Sequence, residues 1–144
     1  MSHRKTTPIA FLFLFLFSVS AVAQMVSPET LAKRARRKNL TVKEWNTDAG
    51  SKTRWLDRQT TYDSEGRKTE EIEYTSYGMK WRVTYEYDET SGKVSMEVEY
   101  NDRNKPVKVR KYEYNTDGTK RKQYNYLPNG KLQSVKVFEY IFSE

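Results

Sequence analysis

The chain has 144 residues, enough for one domain, with no cysteine and a single histidine, His3. Lys and Arg number 26 against 19 Asp and Glu, for a net charge of +7, and aromatics make up 14% of the chain, with 11 tyrosines. Disulfides and thiolate chemistry are excluded at once, and so rich an aromatic content argues against a disordered chain.

The first segment reads as a secretory signal peptide. Arg4 and Lys5 form a basic start, Ile9 to Val19 is apolar apart from Ser18, and Ala21-Val22-Ala23 matches the small-x-small cleavage pattern. Cleavage is expected after Ala23. A membrane-spanning helix needs roughly 20 apolar residues, and this run is too short, so no transmembrane anchor is expected after cleavage. No cysteine follows to take a lipid. Removal of residues 1–23 takes away His3, Arg4 and Lys5 and lowers the charge by two, to +5. The expected location is secreted or periplasmic.

Residues 24–38 read as a basic N-terminal arm or short helix. Ser27 suits an N-cap, Pro28 the first helical position and Glu29 the first turn. Leu31, Ala32 and Ala35 give only a thin apolar stripe, so docking through it would be weak. Lys33, Arg34, Arg36, Arg37 and Lys38 crowd together as candidate anion-binding residues. The plainer reading, a solvated arm, is preferred, because charge runs are commonly tails.

From residue 39 to 144 the chain repeats one plan. Met79–Asp88 alternates apolar and polar side chains without a break, as a strand with one face buried and one wet would. Gly66, Gly78, Gly92, Gly118 and Gly130 punctuate the segments, with Asn104 filling the one gap; the steps are 12, 14, 12, 14 and 12 residues. The repeat is therefore a 26-residue hairpin unit. Short members Arg67–Tyr74, Lys93–Tyr100 and Thr119–Tyr126 end in tyrosine. Long members Met79–Asp88, Lys105–Asn115 and Lys131–Phe142 carry an aromatic-x-tyrosine pair. Linkers this short force antiparallel neighbours, since parallel strands need crossovers of a dozen or more residues. Leu40–Asn46 and Lys52–Tyr62 fit the plan less cleanly.

The expected fold class is all-β: an antiparallel meander of about eight strands in a twisted open single sheet, with a short basic helix ahead of it. A closed up-and-down barrel is the alternative. A bulge near Arg110–Lys111 would set Val107, Val109, Tyr112 and Tyr114 on one face, and the tyrosines are expected to share a common seam.

Tyr62-Asp63-Ser64-Glu65-Gly66-Arg67, Tyr87-Asp88-Glu89-Thr90-Ser91-Gly92-Lys93 and Tyr114-Asn115-Thr116-Asp117-Gly118 resemble the Tyr-Asp repeat of Rhs-type proteins, whose pattern is Tyr-Asp-x-x-Gly-Arg/Lys. The likeness covers about Tyr62–Phe142. Only the first match is complete; the second has an extra residue, and the third has Asn for Asp and Thr after the glycine. The chain is also similar to short secreted bacterial proteins of unknown function that carry a few such repeats. The resemblance implies a β-meander and an exported bacterial setting, and it implies no catalytic residue.

Without His and Cys in the processed chain, Ser-His-Asp and Cys-His sites and His- or Cys-based zinc sites are excluded. Glu97 and Glu99 read as partners in cross-strand ion pairs. Trp81, Tyr85, Tyr87, Tyr112 and Tyr114 are candidate ligand-contact aromatics, able to stack a sugar ring, although their alternation with charged residues fits plain packing. No enzyme activity, cofactor or metal is expected, and nucleic acid is a poor match for an exported protein of this charge. The expected function is a secreted, non-enzymatic β-repeat protein that binds a protein partner through its sheet face or edge. The alternatives are a module for surface glycans, other carbohydrates or anionic polymers, and a structural surface component. Either sheet face or edge could also join copies into a homo-oligomer.

Overall fold

The computed structural model describes residues 26–143, so the expected signal peptide lies outside the described residues. A helix, α1 (Pro28–Ala35), precedes eight strands. These are β1 (Thr41–Thr47), β2 (Arg54–Tyr62), β3 (Lys68–Thr75), β4 (Gly78–Tyr87), β5 (Val94–Tyr100), β6 (Pro106–Tyr114), β7 (Lys120–Tyr126) and β8 (Leu132–Val137). All neighbours are antiparallel, and the spatial order is the chain order. The sheet is open. The barrel alternative is not adopted, since among the described residues β1 and β8 each pair with one neighbour only.

The helix begins as its sequence dictates. The Ser27 side chain accepts from the Thr30 N–H at 3.3 Å, with Pro28 opening the first turn. Two of the turns are organised by the Asx side chain that follows a strand-ending tyrosine. Asp63 Oδ1 accepts from the backbone N–H of Glu65 and Arg67, both at 2.9 Å, and Asn101 Oδ1 accepts likewise from Arg103 and Lys105. Asn104 takes the glycine's place with φ +57°, a conformation asparagine tolerates better than most residues.

Each hairpin carries one register shift, and from β2 onward it falls at the tyrosine. Thr61 faces Glu70 but Tyr62 faces Lys68, which leaves Thr69 unmatched. Tyr87 and Ser95, Tyr114 and Arg121, and Tyr126 and Gln133 repeat the pattern. A bulge adds a residue on one strand and re-aims the side chains beyond it. The expected bulge near Arg110–Lys111 is absent. The unmatched residue of β6 is Val107, opposite Tyr100, and pairing runs unbroken through Arg110 and Lys111. Val109 and Tyr112 therefore point to opposite faces. The last strand is also shorter than expected. It stops at Val137, where the alternation breaks before Phe138.

The register sorts the side chains. On the first face stand Trp81, Val83, Tyr85 and Tyr87 of β4, with Glu71 and Glu73 on one side and Glu97 and Glu99 on the other. On the second face stand Ile72, Met96, Val98 and Tyr100, then Val109, Tyr124 and Tyr126. The tyrosines do not share one seam. Tyr62, Tyr87 and Tyr114 close one end of the first face, while Tyr74, Tyr100 and Tyr126 close the opposite end of the second.

Among the described residues no second layer spans the sheet, α1 reaching only one end of the first face, and burial reflects this: only Val83, 9% exposed, is a buried hydrophobic, and Thr60 is its polar counterpart. Cations take the place of a layer. Among the described residues nine Lys or Arg heads lie within 6 Å of an aromatic ring centre, where a chain this size would show roughly two energetically significant pairs. Long basic side chains cover ring surface with their stems while their charges stay wet.

Candidate functional site

The repeat motif explains itself in the structure. Tyr87 Oη donates to the Lys68 carbonyl at 2.9 Å, Tyr114 Oη to that of Val94 at 2.7 Å, and Tyr140 Oη to that of Lys120 at 2.9 Å. Each tyrosine thus ties the end of a unit's long segment to the start of its short one. The cation after the turn glycine covers the next tyrosine: Arg67 lies 5.1 Å from the Tyr87 ring and Lys93 5.3 Å from Tyr114. Arg67 is positioned by Asp63, whose Oδ2 accepts from its Nε at 2.8 Å. Burial opposes ionisation of Asp63, but the Arg67 and Glu65 hydrogen bonds outweigh it and hold the carboxyl below its usual range.

Helix α1 lies across this end of the first face. Its contact is made by arginines rather than by the apolar stripe, for Leu31 is exposed. Arg34 Nη2 donates to the Gly92 carbonyl at 2.7 Å, and its guanidinium is 5.8 Å from the Tyr87 ring. Arg37 sits 5.2 Å from the Tyr62 ring. The Arg34 carbonyl rests on Gly66, where a β-carbon would overlap it. That close approach, together with a φ of +73°, requires glycine there. The link beyond the helix is pinned by Asn39 N–H to the Asp63 carbonyl at 2.8 Å.

Between helix and sheet lies a cleft of about 410 Å³, lined by Lys33, Arg34 and Arg37 from the helical arm and by Arg58, Thr60, Tyr62, Arg67, Lys68 and Tyr87 from the sheet, with Glu44 and Glu71 as its carboxylates. A second cleft of about 530 Å³ continues past Arg34, Tyr87 and Lys93 to Tyr114. Two sets of candidates separate in the sequence therefore meet: Lys33, Arg34 and Arg37 with Tyr87 and Tyr114. Arg36 is exposed outside both clefts, and Lys38 lies beside Ser64 and Glu65 on the outer side of the helix. The arm is not simply solvated.

Trp81, Tyr85 and Tyr112 stand farther along the first face. Trp81 and Tyr85 line a shallow hollow of about 250 Å³ with Val83, Glu97, Glu99 and Arg110. Arg110 bridges Glu97 at 3.5 Å and Glu99 at 2.6 Å, the expected cross-strand role for that acidic pair. Burial keeps the phenols protonated: Tyr85 and Tyr87 titrate above their ordinary value, Tyr114 is pushed up to about 12, and burial with nearby Glu97 lifts Tyr112 further. At neutral pH these groups are hydrogen-bond donors and ring surfaces, not bases. Arg58, Arg67 and Lys68 were not among the sequence candidates. Arg67 carried a signal, its place after Gly66 in the repeat, whereas Arg58 carried none.

No family model matches the chain, and no curated protein matches it. Among solved structures it is similar to the GtfA/B complex bound to UDP and GlcNAc, at 15% identity over 65% of this chain and 21% of that one, with a TM-score of 0.29. It is also similar to a mutant of S. aureus TarM in complex with fondaparinux, alpha-GlcNAc-glycerol and UDP, at 19% identity over 75% of this chain and 24% of that one, with a TM-score of 0.28. The chain spans less than a quarter of either. At TM-scores this low the likeness bears on neither fold nor function.

Proposed function

We propose that the protein is an exported, non-enzymatic binding module that takes a protein partner at the β8 edge of its sheet. The observation that carries this reading is the state of that edge. Every residue of β8 is exposed, and β7 is its only neighbour among the described strands. Leu132, Val135 and Val137 stand in water, and Ile141 and Phe142 beyond them are 83% and 92% exposed. Sheet proteins usually blunt such an edge with charge, proline or a bulge. β8 has a bulge at Gln133, no proline and the single charge of Lys136. The opposite edge is better defended: β1 carries Lys43 and Glu44, and Arg54 covers the Trp45 ring at 4.7 Å.

An edge of this kind accepts an extended segment as an added strand, with main-chain hydrogen bonds for affinity and apolar side chains for selectivity. The partner is therefore a protein with a free extended segment bearing alternate apolar residues. The test is amide hydrogen exchange across residues 132–137 with and without a partner recovered from the exported fraction. Protection confined to that segment, abolished by Val135→Lys with Val137→Lys, is expected. Protection elsewhere, or binding untouched by the double variant, refutes the reading. If the protection needs no partner and grows with protein concentration, the edge pairs with a second copy, as a structural surface component would.

A further inference from the structure

We propose that the cleft between α1 and strands β2 to β4 binds a compact, doubly charged oxyanion, a phosphate or sulfate monoester, between Arg37 and Arg58. This goes beyond the edge reading and does not depend on it.

Most cations of the cleft already have partners. Arg67 is held by Asp63 at 2.8 Å and Glu65 at 3.0 Å. Lys68 is held by Glu71 at 2.8 Å, Lys33 by Glu29 at 2.7 Å, and Arg34 donates to the Gly92 carbonyl. Two remain. Arg37 stacks on the Tyr62 ring, and no ion pair joins it to a carboxylate among the described residues. Arg58 reaches Glu73 only at 3.8 Å; its side chain is 40% exposed, but its Nε lies beneath the surface without a hydrogen-bond partner. It is the one such side-chain atom among the described residues.

A buried N–H with no acceptor is unfavourable, because it has given up water for nothing. Here it belongs to a group whose planar fork fits an oxyanion. Glu44 stands directly opposite Arg58 in the β1–β2 register and is the internal competitor, yet no ion pair joins the two. Arg37 has no ion pair among the described residues and Arg58 only the 3.8 Å contact with Glu73, so two guanidinium groups with charge to spare face one cleft and favour a dianion over a single carboxylate. The Tyr87 ring is already approached by both Arg34 and Arg67, so the cleft offers an anion site rather than a sugar-stacking platform.

The test follows the arginine Nε–Hε resonances of the ¹⁵N-labelled protein while inorganic phosphate, then sulfate, is added at constant ionic strength. Saturable shifts at Arg58 and Arg37 are expected, with little response to acetate. Arg58→Gln and, separately, Arg37→Gln should each weaken phosphate binding about tenfold or more, as loss of a charge-assisted hydrogen bond does. Arg36→Gln removes the same charge outside the cleft and should leave binding unchanged. Glucose 6-phosphate binding more tightly than inorganic phosphate identifies a sugar-borne group as the ligand; equal binding identifies the free ion. The amide spectrum of each variant checks folding, and Arg37, on the arm beyond the helix, can change without disturbing a strand. The proposal is overturned if no saturable shift appears at Arg58 and Arg37. It is also overturned if Arg36→Gln weakens binding as much as Arg58→Gln, which would mean diffuse attraction.

Discussion

Tyr87 and Tyr140 make the same hydrogen bond, at the same 2.9 Å, to equivalent positions two repeats apart. Their surroundings differ. Tyr87 is half-buried, with Arg67 and Arg34 against its ring and α1 above it. Tyr140 is 46% exposed, and Thr119 stands where Arg67 and Lys93 stand in the earlier units. Tyr114, with one cation, is intermediate. In a one-layer sheet, then, the hydrogen bond positions the ring, while the cover over it decides how much stability results.

Removing the cover should cost the most. Gly66→Ala would clash with the Arg34 carbonyl and strain a left-handed turn, and should cost about 2–3 kcal/mol. Denaturant unfolding measures the loss, and proteolysis within residues 28–38 reports undocking of α1. Alkali comes next. The folded Tyr114 titrates near 12 against an ordinary value of 10, so the unfolded chain releases its proton first. The contribution is complete below pH 10 and is lost as pH rises toward 12; melting temperatures across that window check it. Acid acts with the opposite sign. Asp63 titrates low in the folded protein, so its contribution is present above the ordinary carboxylate range and disappears as pH falls below about 4.

Smaller changes probe the same contrast. Tyr87→Phe should cost about 1 kcal/mol, and Tyr140→Phe only a few tenths, because solvent replaces the lost bond where the group is exposed. Equal losses in the two variants would contradict the role given to cover. Thr119→Arg would supply the missing cation and should raise stability by roughly 0.5 kcal/mol, measured by the same unfolding curves.

Much of this architecture was legible in the residues. Single glycines at steps of 12 and 14, with Asn104 in the gap, located every turn from Gly66 to Gly130. Short linkers fixed the antiparallel order. What alternation could not give was the allocation of faces, because a bulge opposite each strand-ending tyrosine resets the phase without a residue type that announces it. Val107 looks like an ordinary strand valine, yet it is the unmatched residue. The manner in which α1 docks was hidden for a related reason. Arginine against tyrosine leaves no apolar stripe, so Lys33–Lys38 resembled a free tail. Arg58 could not be told from any other strand arginine, since only the cleft around it gives its unpaired Nε meaning.

The strand order also governs the response to mechanical load. Each strand touches only the strands before and after it in sequence, so tension applied at either terminus would strip hairpins away singly, like a zip opened tooth by tooth. With α1 held against the Gly66 and Gly92 turns and the β8 side bare, rupture should begin at the C-terminal end and advance toward the helix.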